Sequence, residues 1–130
     1  MKILHLDHLV LTVVDLDVSC DFYARVLGME PVTFDVGGVT RRALSFGKQK
    51  INLHESGNEF TPRAAMAIPG SSDLCLITES TIEDIIDHLK SAAVDILQGP
   101  VARTGAEGPM MSVYFRDPDG NLLEVSRYDN

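Results

Sequence analysis

Four titratable residues stand in strand-like apolar runs: His8 opening H-L-V-L-T-V, His54 in I-N-L-H-E, Asp73 before L-C-L-I, and Glu124 in L-L-E-V. A sheet that buries a face avoids charge there unless the charge is paired or metal-bound. Two imidazoles with one or two carboxylates form a common ligand set for a divalent metal that keeps exchangeable positions. Strand alternation puts His8 on a face with Val10 and Thr12, and His54 with Asn52 and Ser56. It puts Asp73 with Cys75 and Ile77, and Glu124 with Leu122 and Ser126. Each residue alone has a plainer reading. A lone strand histidine more often fills a core or surface position, and Glu124 fits an edge-strand charge. A slip of one residue in register reverses every face.

The elements that must position these residues come in an order that repeats. His8–Val13 is apolar and β-branched and reads as a strand. Asp15 or Asp17 can cap a helix whose apolar face is Val18, Phe22, Val26 and Leu27, with Gly28 at the end. Strands follow at Glu30–Asp35, Thr40–Phe46 and Lys50–Glu55, with turns at Gly37-Gly38 and Phe46-Gly47-Lys48. Residues 57–71, with Gly57, Pro62, Pro69 and Gly70, read as a linker. The order then restarts with a strand at Leu74–Thr78. A helix capped by Ser80 or Thr81 follows, its apolar face Ile82, Ile85, Ile86, Leu89 and Ala93. Next come a strand at Val94–Leu97, a loop at Gln98–Pro109, a strand at Met110–Arg116, a tight turn Asp117-Pro118-Asp119-Gly120 and a last strand at Asn121–Arg127.

The pattern is an internal duplication in one domain: a β-α-β-β-β module over about residues 1–56, a linker, and a second module over about 72–130. The fold class is α+β, two modules completing a cup-shaped mixed sheet. His8 and Asp73 open the first strands, and His54 and Glu124 lie in the last strands, so a pseudo-twofold axis directs all four toward one point. His5 and Asp7 fall off the His8 face, and His88 reads as a solvated helix residue. Cys75 reads as a buried structural thiol.

The bulk composition excludes other classes. With 45% hydrophobic and 23% charged residues the chain has an ordinary globular balance, and its 130 residues suffice for a core without staples. A formal net charge of −8 argues against nucleic acid and anionic membrane as partners. The apolar runs are too short to span a bilayer, and the first residues do not form a signal peptide. Two cysteines without C-x-x-C spacing fit a reducing compartment, so the expected location is cytoplasmic.

Two stretches carry a family resemblance. Asp7-His8-Leu9-Val10-Leu11-Thr12-Val13, with Phe22-Tyr23 and Val26-Leu27-Gly28-Met29, resembles the opening of glyoxalase and fosfomycin-resistance proteins. Phe115-Arg116-Asp117-Pro118-Asp119-Gly120-Asn121-Leu122-Leu123-Glu124 resembles their closing motif. The chain is thereby identified as a member of the vicinal-oxygen-chelate superfamily over essentially its whole length. Its middle, including Ile51-Asn52-Leu53-His54-Glu55 and Arg103-Thr104-Gly105-Ala106, is similar to the branch of glyoxalase domain-containing protein 5 and its bacterial relatives.

The resemblance implies one divalent metal per site, whether nickel, zinc, manganese, cobalt or iron, with His8 and Glu124 as ligands. His54 and Asp73 would complete the set, Asp73 directly or through water. The ligand order His, His, Asp, Glu departs from the His, Glu, His, Glu order of bacterial lactoylglutathione lyases. The expected activity is a metal-dependent, glyoxalase-like isomerisation of a small oxygen-chelating substrate, with Glu124 or Asp73 moving the proton. A thiol transferase like the fosfomycin-resistance enzymes, a ring-cleaving dioxygenase and a metal-free binding protein are the rivals. Relatives of this length are often homodimers. The Gln98–Pro109 loop is expected to close over the site as a lid, with Arg103 and Thr104 on the substrate.

Overall fold

A computed structural model of the chain describes residues 1–129. It contains two compact units, Met1–Ser71 and a second that begins at Ser72. Each holds one helix and a four-stranded sheet.

In the first unit β1 (His8–Val13) leads into α1 (Leu16–Leu27), then β2 (Glu30–Val36), β3 (Val39–Phe46) and β4 (Gln49–Glu55). The sheet order is β1-β4-β3-β2, with β1 parallel to β4 and the other pairs antiparallel. Asp15 caps α1 by accepting a hydrogen bond from the Val18 backbone N–H, and Gly28 ends it in the left-handed region at φ 66°. Phe22, Tyr23 and Val26 of α1 are buried with Leu11, Val13, Leu44, Ile51 and Leu53, every second residue of their strands. That alternation leaves His8, Val10 and Thr12 together on the other face of β1.

The second unit repeats the order: β5 (Asp73–Ile77), α2 (Ile82–Ser91), β6 (Gln98–Gly105), β7 (Gly108–Arg116) and β8 (Leu122–Tyr128). Its sheet runs β5-β8-β7-β6, with β5 parallel to β8. Thr81 is the N-cap of α2. Ile85 and Leu89 of α2 are buried, as are Val113, Phe115, Leu123 and Val125 of the sheet.

Two expectations need correction here. Val94–Leu97 is not a strand, although the Leu97 N–H does bond to the Tyr114 carbonyl. Gln98–Pro109 is not a loop: it is β6, a two-residue turn and the first two residues of β7, closed by the pairing of Gly105 with Gly108. Gly99, Pro100 and Gly105 mimic a loop because β6 is an edge strand, where proline costs no ladder bond that must be made. The turn is pinned by Tyr128, whose Oη accepts from the Glu107 N–H at 3.1 Å, so it is not a free hinge.

The D-P-D-G-N turn explains how β8 is aimed. Asp117 Oδ1 accepts from the backbone N–H groups of Asp119 and Asn121, each at 2.9 Å. The buried Asn121 amide donates to Asp117 Oδ2 at 2.8 Å, and its Oδ1 accepts from Ser72 N at 2.9 Å. One asparagine thus ties the turn before β8 to the entry of β5.

Candidate functional site

The registers fix where the donors stand within each module. In the first, Val10 pairs with Asn52, and His8 lies two residues before Val10 on the same face. In the second, Cys75 pairs with Glu124, and Asp73 lies two residues before Cys75. The spacing is identical, so the counterpart of Glu124 in module one is Asn52. His54 pairs with Thr12, and its counterpart is Ser126, which pairs with Ile77.

This corrects the placement expected of His54. His8 pairs with Lys50, four residues before His54. Four residues span about 13 Å along a strand, too far for two perpendicular side chains to meet at one ion. Both residues belong to the first unit, so the separation is a property of that unit alone. The sequence placed His54 and Glu124 as equivalents because both lie late in their strands; only the hydrogen-bond register distinguishes His54 from Asn52.

Each donor has its own setting. The His8 side chain is 43% exposed, and its Nδ1 lies 2.8 Å from Asp7 Oδ2. This hydrogen bond is the largest cause holding the Asp7 carboxyl below its usual range. A proton on Nδ1, donated to Asp7, leaves the Nε2 lone pair available, the usual arrangement for a ligating histidine. Asn52 is 8% exposed, and its buried Oδ1 has no hydrogen-bond partner among the described residues. Glu124 Oε2 accepts from Ser112 Oγ at 2.6 Å and from Ser126 Oγ at 3.3 Å. Ser112 and Ser126 are fully buried and lie 2.6 Å apart. Cys75 Sγ is 3.4 Å from Ser126 Oγ, and burial is the largest influence pushing this thiol upward. Cys75 is nonetheless an exposed residue, not the buried one expected: alternation turns it to the face of Asp73 and Glu124.

His54 sits elsewhere on the face of module one. It is buried at 6% exposure, edge-on to Phe60 with ring centroids 5.4 Å apart. Arg41 lies over the same Phe60 ring, 4.2 Å from its centroid. Burial first, then the positive charge of Arg41, holds the His54 imidazole below its usual range, against an opposing pull from Glu59. A neutral imidazole beside a guanidinium is a poor place for a second cation.

Arg103 and Thr104 lie on β6 and, being consecutive, point to opposite faces. Arg103 pairs with Met110, and its Nε donates to Tyr114 Oη at 2.9 Å. Tyr114 is the cross-strand partner of Glu124. Arg103 therefore connects to the Glu124 face through Tyr114, while Thr104 is exposed on the other side. Among the described residues no three His, Cys, Asp or Glu side chains form a ready metal cluster. The donors come as pairs, one in each module. Sequence reasoning missed Asn52 and Arg41. The signal for Asn52 was an amide in the apolar alternation I-N-L-H, at a place where a strand has no use for one.

Such duplicated modules, each offering donors from its first and last strands, define a known family. Residues 5–125 match the model of the Glyoxalase/Bleomycin resistance protein/Dioxygenase superfamily, and the chain belongs to it. It is 52% identical over 128 residues to virulence protein STM3117 of Salmonella typhimurium, covering 98% of this chain and 87% of that protein. It is 49% identical over 130 residues to glyoxalase domain-containing protein RDO1 of Mycosarcoma maydis, covering 100% of this chain and 72% of that protein. It is 32% identical over 127 residues to metallothiol transferase FosB of Shouchella clausii, covering 92% and 77%. Among solved structures, the integron cassette protein VCH_CASS1 from V. cholerae superposes with a TM-score of 0.94 at 56% identity, covering 99% of this chain and 98% of that one.

Proposed function

We propose that the protein is a divalent-metal-dependent enzyme of the glyoxalase type, acting on a small substrate with adjacent oxygens. The observation that carries this reading is the matched register: His8 with Asn52, and Asp73 with Glu124, at the same spacing in both modules. The donor set fits a divalent cation. It offers an imidazole whose far nitrogen is uncommitted, two carboxylates, and a buried amide oxygen with no donor of its own. His54 drops out of the set in favour of Asn52.

A metal held there supplies Lewis-acid stabilisation of an oxyanion and needs no nucleophilic side chain. The chain supplies the rest. Asp7 orients His8. Ser112 and Ser126 fix the Glu124 carboxylate. Glu124 or Asp73, on neighbouring strands and one face, moves the proton. Arg103, steadied by Tyr114, takes an anionic part of the substrate. A second reading, transfer of a thiol to a small molecule, is favoured by the similarity to a metallothiol transferase. Both readings are of a cytoplasmic enzyme, and both suit a C2 homodimer in which each site takes one module from either copy.

The test is metal analysis of protein purified without chelators, followed by turnover of hemithioacetals, of epoxides with thiols, and of catechols with oxygen uptake. Bound metal with chelator-sensitive isomerisation supports the first reading, and epoxide opening the second. Oxygen uptake with catechols points to a dioxygenase. Absence of metal, with small molecules bound unchanged, overturns both readings in favour of a binding protein. A monomeric mass at full metal content and low protein concentration rules out a shared site.

A further inference from the structure

The face of module one that carries His8 and Asn52 also carries two cations, Arg41 and Lys50. Phe34 is the cross-strand partner of Arg41, and the Lys50 ammonium lies 4.1 Å from the centre of the Phe34 ring. Arg41 itself rests on Phe60. Two cations are thus held on aromatic rings around one stretch of sheet, which fixes them at little entropic cost. Among the described residues neither forms an ion pair. The neighbouring Arg42 points to the other face and bonds to Asp17 at 2.7 Å. The Arg41 Nε–H is buried and has no acceptor. Lys50 acts on the nearby Asp7 carboxyl, so the group left uncompensated on this partly buried face is the Arg41 Nε–H. A buried donor with nothing to donate to costs stability unless a ligand completes it.

We propose that Arg41 and Lys50 form an anion-binding subsite on module one, which anchors a carboxylate, phosphate or phosphonate group of the small-molecule ligand. Arg41 donates from Nε, and its guanidinium, held over Phe60, matches a planar or tetrahedral oxyanion edge. Lys50 adds a second charge from the side of Phe34. His54, edge-on to Phe60, closes the apolar wall that keeps water from competing. The subsite rests on the reading that the chain binds a small molecule; it does not need the metal.

The test titrates metal-free protein with inorganic phosphate, methylphosphonate and acetate at fixed ionic strength, following calorimetry and backbone amide shifts in β3 and β4. Saturable binding of at least one probe is expected, and the three probes separate the possible anionic groups. Arg41→Gln should weaken it by about tenfold or more, the scale of one lost charge-assisted hydrogen bond. Arg41→Lys should retain part of it, and Lys50→Gln should weaken it less than Arg41→Gln. If Arg41→Gln fails to fold, the Arg41→Lys and Lys50→Gln variants decide the matter. No saturable binding in the metal-free protein, or equal binding by wild type and all the variants, overturns the subsite. Metal binding is measured on separate wild-type samples purified without chelators, and the anion titration is repeated on them. No metal bound there, with anion binding intact, would overturn the metal reading and leave the subsite standing. Anion binding that appears only with metal and ignores Arg41 would do the reverse.

Discussion

Ser112 donates its hydroxyl proton to Glu124 Oε2 at 2.6 Å, from the strand beside that of the carboxylate. The serine is wholly buried, and its hydroxyl meets this carboxylate and its neighbour Ser126. Removing the hydroxyl should loosen Glu124 without touching its charge. Ser112→Ala is expected to lower divalent-metal affinity about 10–100-fold, the usual cost of losing a partner of a ligand. It should also cost about 1–3 kcal/mol of stability. Metal titration and thermal melting read both. Unchanged affinity in Ser112→Ala would detach Glu124 from the metal.

His8→Ala and Glu124→Ala should each lower metal content and, with it, the metal-dependent part of the melting temperature, because a ligand bound only to the native state stabilises it by mass action. Asn52→Ala should do the same to a smaller degree, while His54→Ala should leave metal content intact. A stoichiometry unchanged in His8→Ala and Glu124→Ala would sink the assignment.

The pH dependence follows from His54. Its folded-state proton affinity is depressed by burial and by Arg41, so the unfolded chain binds the proton first as pH falls. Stability contributed by the neutral ring is complete above the ordinary histidine value of about 6.5 and declines below it. Denaturation midpoints measured from pH 8 to pH 5 should therefore fall in wild type and fall less in His54→Gln. Equal slopes would show that His54 is accessible to protons in the folded state.

Gly99 makes the backbone approach that places Ser112. A Cβ there would sit 2.5 Å from the Ser112 carbonyl oxygen, and the residue has φ of 112°. Gly99→Ala should destabilise by about 1–3 kcal/mol and disturb Ser112, hence Glu124. A drop in metal affinity that accompanies the loss of stability is the expected signature.

Arg103→Ala should raise KM and leave metal content unchanged, since Arg103 bonds Tyr114 and no proposed ligand. Turnover and affinity equal to wild type would reduce Arg103 to a strut for β7.

Much of this was legible in the sequence. Alternation gave seven strands and both helices, because H-L-V-L-T-V and the Ile82–Leu89 face each have one period and clear caps. The D-P-D-G-N run announced a turn, and its buried side-chain network is the physical reason for Asp117 and Asn121 in it. Pattern failed where an edge strand tolerates glycine and proline, at Gln98–Gly105. It also failed where the answer lay in register. His54 is the more conspicuous residue in I-N-L-H, yet Asn52 stands opposite Val10. Alternation gives a face but not a height along the strand, and height decides which donors can share an ion.

The parallel pairing of β1 with β4, and of β5 with β8, has a consequence for synthesis. In each module the first strand made waits at the sheet edge for the last. His8 and Asn52 become neighbours only when the ribosome has delivered the whole of module one, and Asp73 and Glu124 only when β8 has been made. A chain cut short within a module therefore carries scattered donors, none preorganised with its mate, and each pair forms only when the last strand of its own module arrives.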